Sequence, residues 1–111
     1  MIRLSIKTHK RCEFVDITGD ITNAVSKRGI TDGILLIYCP HTTAGITINE
    51  NADPSVSRDI TMKTSKLIDK NDADYLHGEG NSDSHIKSSL VGASEMVIIE
   101  KGRLVLGTWQ G

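Results

Sequence analysis

The spacing of hydrophobic positions changes along the chain, and each change predicts a different element. Apolar and polar residues alternate over 2–8 and again over 11–16, which predicts two strands joined as an opening hairpin. Four apolar residues from Ile17 to Val25 then recur at helical spacing, and Gly29 follows them. A short amphipathic helix is therefore expected after the hairpin.

The middle of the chain combines a continuous apolar run with a helix start. Residues 33–39 are almost all apolar, which favours a strand buried on both faces at the centre of a sheet. Pro40 ends this strand, and the alternation resumes over 45–50. Asp53 and Pro54 then predict a helix, because aspartate is a good N-cap and proline fits the first helical position.

The last third of the chain predicts one more helix followed by a hairpin. Ser82 or Asp83 can cap a short helix that runs to about Leu90 or Val91. Two strand-like runs, 95–100 and 103–109, are joined by a Lys-Gly turn. The whole pattern predicts an α+β fold of mostly antiparallel strands with two or three helices.

Composition limits the class of protein. A length of 111 residues is that of a single domain. The 13 Lys and Arg residues are balanced by 14 Asp and Glu residues, and no long basic run occurs, so neither nucleic acid nor a membrane is expected as a partner. No apolar run approaches the roughly 20 residues of a membrane helix, and the N-terminal alternation is not that of a signal peptide. We expect a cytoplasmic protein in which Cys12 and Cys39 are reduced.

The densest chemistry lies between His77 and His85, where glycines and short polar residues separate the two histidines. Glycine lets a backbone curl around a ligand, and imidazole is a common metal ligand. His41 follows the predicted central strand, which is a rigid position for a third ligand. Three imidazoles with an open fourth position are typical of a catalytic zinc site. The spacing lacks the helical pair of known zinc motifs, so three unrelated surface or capping histidines remain the alternative.

Oxygen-bearing side chains near the histidines allow further interpretations. Calcium binding ranks below zinc, because the acidic residues lack the EF-hand order. Asn81 and Ser82 precede a predicted helix whose free N–H groups suit a phosphate, with helix capping as the alternative for Ser82. Glu50 and Asp53 flank the end of a predicted strand and are candidate general acids or bases, with solvent exposure and N-capping as the alternatives.

Three ordered motifs resemble one protein family. They are PHTTA at 40–44 with INEN at 48–51, then HGEGNSDSH at 77–85, then LGTWQG at 106–111. Over essentially its whole length the chain resembles the YjbQ family of secondary thiamine-phosphate synthases. The resemblance implies a jelly-roll-like β-sandwich within the α+β fold, assembled as a homotrimer. Family members continue past the last motif, so the domain at 1–111 is expected to lack its C-terminal strands.

The resemblance also implies a reaction that joins a pyrimidine diphosphate to a thiazole phosphate and releases pyrophosphate. It implies a metal site formed by His41, His77 and His85. Three neutral imidazoles favour zinc, while magnesium or calcium stays open because pyrophosphate chemistry more often uses magnesium. We predict that Glu50 and Asp53 are catalytic, and that the residues contacting substrate or phosphate are Thr42, Thr43, Asn81, Ser82 and Gln110. A trimeric metal- or anion-binding protein without turnover is the alternative.

Overall fold

Three helices and one antiparallel sheet make up the secondary structure of the computed structural model, which describes residues 1–111. In chain order the elements are α1 (Thr18–Lys27), β1 (Gly33–Tyr38), α2 (Pro54–Leu67), α3 (Ser82–Val91), β2 (Ser94–Glu100) and β3 (Arg103–Leu104). The strands lie in the order β1-β2-β3. The predicted α+β class is confirmed, whereas the second sheet of a sandwich is not among these elements. None of the helices has the length and apolar content to span a bilayer.

The opening hairpin predicted over 2–8 and 11–16 is not formed. Neither range contains a strand, although the alternation of apolar residues is present. A strand requires a ladder partner as well as its own pattern, and no neighbouring strand pairs with this backbone. The predicted strand at 45–50 is likewise reduced to one bridge between Glu50 and Gln110.

The sheet exposes one of its two faces. β1 and β2 pair in a register that places Ile34 opposite Ile98 and Leu36 opposite Met96. These four side chains and that of Tyr38 are exposed, and together they are called the outer sheet face below. The prediction that β1 is buried on both faces is therefore wrong, because helix α1 covers only the opposite face.

The core lies between α1 and the inner face of the sheet. Ile21 and Val25 of α1 are buried against Ile99 of β2, and Leu35 and Ile37 of β1 pack beside them. The apolar spacing that predicted α1 thus also supplies its buried face. This core is small, and neither α2 nor α3 contributes a residue to it.

Helix α2 begins where the sequence predicts. Pro54 is the first helical residue, and the Asp53 carboxylate accepts a hydrogen bond from the Ser55 N–H at 2.8 Å. This hydrogen bond lowers the pKa of Asp53, because the backbone N–H stabilises the ionised carboxylate. No residue of α2 is fully buried, so the helix lies at the surface.

Helix α3 begins inside the stretch that carries two of the histidines. The predicted cap is wrong in detail, because Ser82 and Asp83 are already helical and Asn81 occupies the cap position. The Asn81 side chain makes no capping bond, but its backbone carbonyl accepts from the N–H groups of Ser84 and His85. These are the first hydrogen bonds within α3, and no side chain caps the start of the helix.

Helix α3 has no extensive interface with another helix or strand, and polar contacts fasten it instead. At its first turn Asp83 bonds to Arg11 of the N-terminal segment. Further along, the Ser88 hydroxyl donates to the Thr42 carbonyl at 2.7 Å, which ties α3 to the loop after β1. The position of α3 thus depends on a few directional bonds.

The end of α3 meets the chain around Gly45 at close range. The Ile46 N–H donates to the Gly92 carbonyl at 2.9 Å, which is a third polar fastening of the helix. A Cβ atom at Gly45 would lie 2.8 Å from the Gly92 carbonyl oxygen and 2.8 Å from Val91 Cγ1. Only glycine fits this approach without displacing one of the two segments.

Candidate functional site

An open basin of about 450 Å³ lies beside the first turn of α3. Gly80 has a φ of 68°, and its N–H bonds to the His77 carbonyl at 3.3 Å, so the loop turns tightly back into α3. This turn brings the loop and the first helical turn to the same surface. The residues lining the basin are Asp74, Tyr75, Leu76, His77, Ser82, His85 and Ile86.

Two imidazoles meet in this basin. The ring centroids of His77 and His85 are 5.1 Å apart and the ring planes cross at 83°, which is an edge-to-face arrangement. The His77 side chain is 45% exposed, and its Nε2 atom lies 3.8 Å from Oε2 of Glu79. Paired imidazoles can exchange protons with a ligand, and when protonated they attract an anion. The structure therefore brings together two of the three predicted ligands.

His41 does not join the pair. It follows β1 as predicted, but its Nδ1 atom accepts the Thr43 N–H at 3.2 Å, and it does not line the basin. Nowhere in residues 1–111 do three His, Cys, Asp or Glu side chains come together in a group that could hold a metal ion. Zinc takes three or four such ligands. The donors of one chain therefore do not fit a complete three-histidine site.

The residues predicted to contact phosphate are divided between two regions. Ser82 lines the basin, and Asn81 precedes it at the start of α3. The Asn81 Nδ2 atom donates to Glu79 Oε2 at 3.4 Å, whereas its buried Oδ1 atom has no hydrogen-bond partner. Thr42 and Thr43 lie in the loop after β1 and do not line the basin.

Gln110 and the two predicted catalytic carboxylates also lie outside the basin lining. The Gln110 side-chain oxygen accepts the Gly107 N–H at 2.7 Å, and the Gln110 backbone bridges to Glu50. Asp53 caps α2, as described above. The roles predicted for these residues stay predictions, and the histidine pair is the centre of the candidate site.

A cluster of charges beside the basin was not predicted from the sequence. The fully buried Asp83 carboxylate accepts from the two guanidinium NH groups of Arg11 at 2.7 and 2.8 Å, and from Lys87 Nζ at 3.0 Å. The hydrogen bonds from Arg11, and then those from Lys87, hold the pKa of Asp83 well below its usual range despite burial. The spacing of Asp83 and Lys87 is visible on a helix, but no local signal points to Arg11.

Tyr75 is a further residue of the basin that the sequence pattern did not single out. Its pKa is raised, first by desolvation and then by the negative charges of Asp72 and Asp83. The phenol therefore keeps its proton at neutral pH and can donate a hydrogen bond into the basin. Its position two residues before His77 is the one signal that could have indicated it.

The antiparallel sheet, the three helices and the histidine-lined basin define a small α+β protein with a candidate small-molecule site. A family model described as UPF0047 protein YjbQ-like matches residues 2–111. The chain belongs to this YjbQ-like family, which confirms the resemblance seen in the three sequence motifs.

Individual relatives agree with this assignment. The chain is 60% identical over 111 residues to UPF0047 protein MJ1081 of Methanocaldococcus jannaschii, covering 100% of the chain and 80% of that protein. It is 55% identical over 108 residues to UPF0047 protein YugU of Bacillus subtilis, covering 97% and 82%. A crystal structure of a YjbQ/UPF0047 family protein from Clostridium acetobutylicum has a TM-score of 0.96 at 54% identity, covering 100% and 85%. These names state no ligand or reaction, so function has to be argued from the site.

Proposed function

We propose that the chain is an enzyme that acts on phosphorylated small molecules and resembles a secondary thiamine-phosphate synthase. The edge-to-face pair of His77 and His85, in an open basin at the start of α3, is the observation that carries the proposal. The reaction joins a pyrimidine diphosphate to a thiazole phosphate and releases pyrophosphate. The basin would bind the phosphorylated substrate and stabilise the leaving group.

A leaving pyrophosphate gains negative charge, and several groups at the basin suit it. When they hold no metal, protonated His77 and His85 can neutralise this charge or donate a proton to the leaving oxygen. The start of α3 supplies the positive end of a helix dipole. The hydroxyl groups of Tyr75 and Ser82 add neutral donors in the lining.

A divalent metal, with zinc ahead of magnesium and calcium, belongs to the proposal as a cofactor. His77 and His85 are the residues that would hold it. A third ligand such as His41 has to be brought to the pair, because one chain forms no group of three. No step of the reaction is therefore assigned to the metal.

Activity of the purified protein tests the proposal. Wild-type protein is expected to release pyrophosphate from the two substrates, and His77→Ala and His85→Ala are each expected to lower the rate about a hundredfold. His9→Ala, at the exposed fourth histidine, is the matched control and should keep the full rate. Absence of conversion by wild-type protein, or full rates in both basin variants, would refute the enzyme proposal.

Metal analysis of the same proteins tests the proposed cofactor. Stoichiometric metal is expected in wild-type protein and is expected to be lost in His77→Ala and His85→Ala. His41→Ala reports whether the third predicted ligand takes part. Metal-free wild-type protein, or full metal content in all three variants, would contradict the cofactor proposal.

A trimeric metal- or anion-binding protein without turnover is the second candidate. One observation favours it, because the predicted catalytic residues Glu50 and Asp53 do not line the basin. Titration calorimetry with pyrophosphate separates the two candidates. Saturable binding that requires His77 and His85, with no conversion of the two substrates, would favour this second function.

We also propose a jelly-roll-like sandwich, a homotrimer and a cytoplasmic location. The outer sheet face supports the first two, because an exposed apolar patch of this kind is normally covered in an assembled protein. The free thiols of Cys12 and Cys39 support a reducing compartment. Light scattering on purified protein tests the assembly, and a monomer at micromolar concentration would contradict the trimer.

A further inference from the structure

The ion pair between Arg11, whose side chain is 42% exposed, and the buried Asp83 has no part in the lining of the basin, yet it is the most specific polar contact of α3. Asp83 is the one polar side chain that is fully buried in the chain. Arg11 donates a hydrogen bond to each of its carboxylate oxygens, at 2.7 and 2.8 Å. A bidentate interaction of this kind fixes the orientation of the carboxylate as well as its distance from the guanidinium group.

Stability alone is a weak reason for such a pair. Removing the Asp83 carboxylate from water has a free-energy cost that its hydrogen bonds have to offset, and apolar residues of similar size often stabilise a fold equally well. What the pair does provide is a defined geometry, because each hydrogen bond is directional. Arg11 lies 72 positions from Asp83, so the pair fixes α3 relative to a distant part of the chain.

Lys87 also bonds to Asp83, but it links α3 only weakly to the N-terminal segment, where its Nζ atom lies 3.8 Å from Sγ of Cys12. It lies four residues after Asp83 on the same helix, with its Nζ atom 3.0 Å from the carboxylate. This contact adds positive charge within α3 and moves with it. Arg11 is the partner that joins the first turn of α3 to the rest of the molecule.

The direction of the side chains connects this pair to the basin. Asp83 and His85 are two positions apart on a helix, so they project to different sides of it. Asp83 points into the protein, while His85 faces His77 in the basin. Any rotation of the first turn of α3 that moves Asp83 therefore also moves the His85 ring away from its edge-to-face contact.

We propose that Arg11 and Asp83 are positioning residues, whose ion pair sets the first turn of α3 and thereby holds His85 against His77. The inference deepens the proposed function and rests on it for the use of the basin. Neither residue lines the basin, so neither is assigned a catalytic role.

Nuclear magnetic resonance of histidine-labelled protein tests the positioning directly. A cross-peak between the rings of His77 and His85 is expected in wild-type protein, because their centroids are 5.1 Å apart. Arg11→Gln and Asp83→Asn are expected to lose this cross-peak, while their amide spectra remain those of a folded protein. Lys87→Gln is the matched control, since it removes the lysine charge beside the Asp83 carboxylate but leaves both hydrogen bonds from Arg11. This variant should keep the cross-peak.

Pyrophosphate is the probe for the functional consequence. Its affinity is expected to fall roughly tenfold or more in Arg11→Gln and to change little in Lys87→Gln, since misplaced binding groups lose much of their effect. If wild-type protein binds no pyrophosphate, the binding step of the proposed function fails, whereas the cross-peak still decides the positioning role.

Two results would overturn the positioning role. One is that folded Arg11→Gln and Asp83→Asn both keep the cross-peak between His77 and His85 that wild-type protein shows. The other is that both of these variants fail to fold and that Arg11→Lys also fails to fold. Arg11→Lys keeps the positive charge but not the bidentate interaction. That outcome would assign the pair to stability. If only the milder variant folds, it is expected to lose the cross-peak.

Discussion

Replacing Asp83 with asparagine is expected to lower the free energy of unfolding by about 2–3 kcal/mol at pH 7. Asparagine has nearly the same shape, but it carries no charge and turns one acceptor into a donor. Three charge-assisted hydrogen bonds, two from Arg11 and one from Lys87, are weakened or lost. Breaking a buried pair costs about 3–5 kcal/mol when the remaining charge stays buried. The Arg11 side chain is 42% exposed and can be hydrated again, so we expect the smaller loss of about 2–3 kcal/mol in the free energy of unfolding.

Urea unfolding at pH 7 measures this loss, with Asp20→Asn as the matched control. Asp20 is an exposed carboxylate in the first turn of α1 and bonds to no basic side chain. Its substitution is expected to change the free energy of unfolding by only about 0.5 kcal/mol or less. Equal stability of Asp83→Asn and wild-type protein would refute the reasoning.

The pH dependence gives this prediction a second, independent check. The folded protein holds the pKa of Asp83 below its ordinary value, so the unfolded chain binds a proton first as the pH falls. The stabilisation is therefore complete above the unfolded pKa and is lost as the pH falls towards the folded pKa. The stability difference between wild type and Asp83→Asn should stay constant from about pH 7 to 5 and shrink below about pH 4. A difference that grows on acidification would contradict this assignment.

Two further substitutions test the fold. Gly45→Ala should destabilise the protein by about 1–3 kcal/mol because its Cβ atom would overlap the Gly92 carbonyl oxygen, whereas Gly19→Ala, with open space around it, should not destabilise it; equal melting temperatures would refute the close approach. Val25→Ala should cost about 2 kcal/mol by opening a cavity in the core, and Val105→Ala, at a half-exposed side chain, should cost less than half as much; thermal unfolding compares the two, and equal losses would show that Val25 is not central to the core.

Elements that depend on neighbouring residues were predictable from the sequence. Helix α2 begins at Pro54 with Asp53 as its cap, because both preferences act within one turn. The helical spacing before Gly29 gave α1 for the same reason. Burial depends instead on what covers a surface. The apolar run of β1 therefore predicted a strand correctly but failed to predict that Ile34 and Leu36 are exposed.

The candidate site divides in the same way. His77 and His85 lie within one loop and one helical turn, so the sequence predicted their proximity. Whether His41 joins them depends on how two distant segments meet, and the spacing of residues along the chain carries no such information. The pair of Arg11 and Asp83 was missed for that reason, since neither residue has a local motif that requires the other.

The fastening of α3 by a few polar contacts has a consequence for how this fold can diversify. The core joins α1 to the sheet and includes no residue of α3, so the helix that carries His85 can shift without repacking the core. Substitution of the tethering residues is then expected to reshape the basin, while the sheet that supports the fold stays the same. The proposed ligand site can thus change through movement of a single helix.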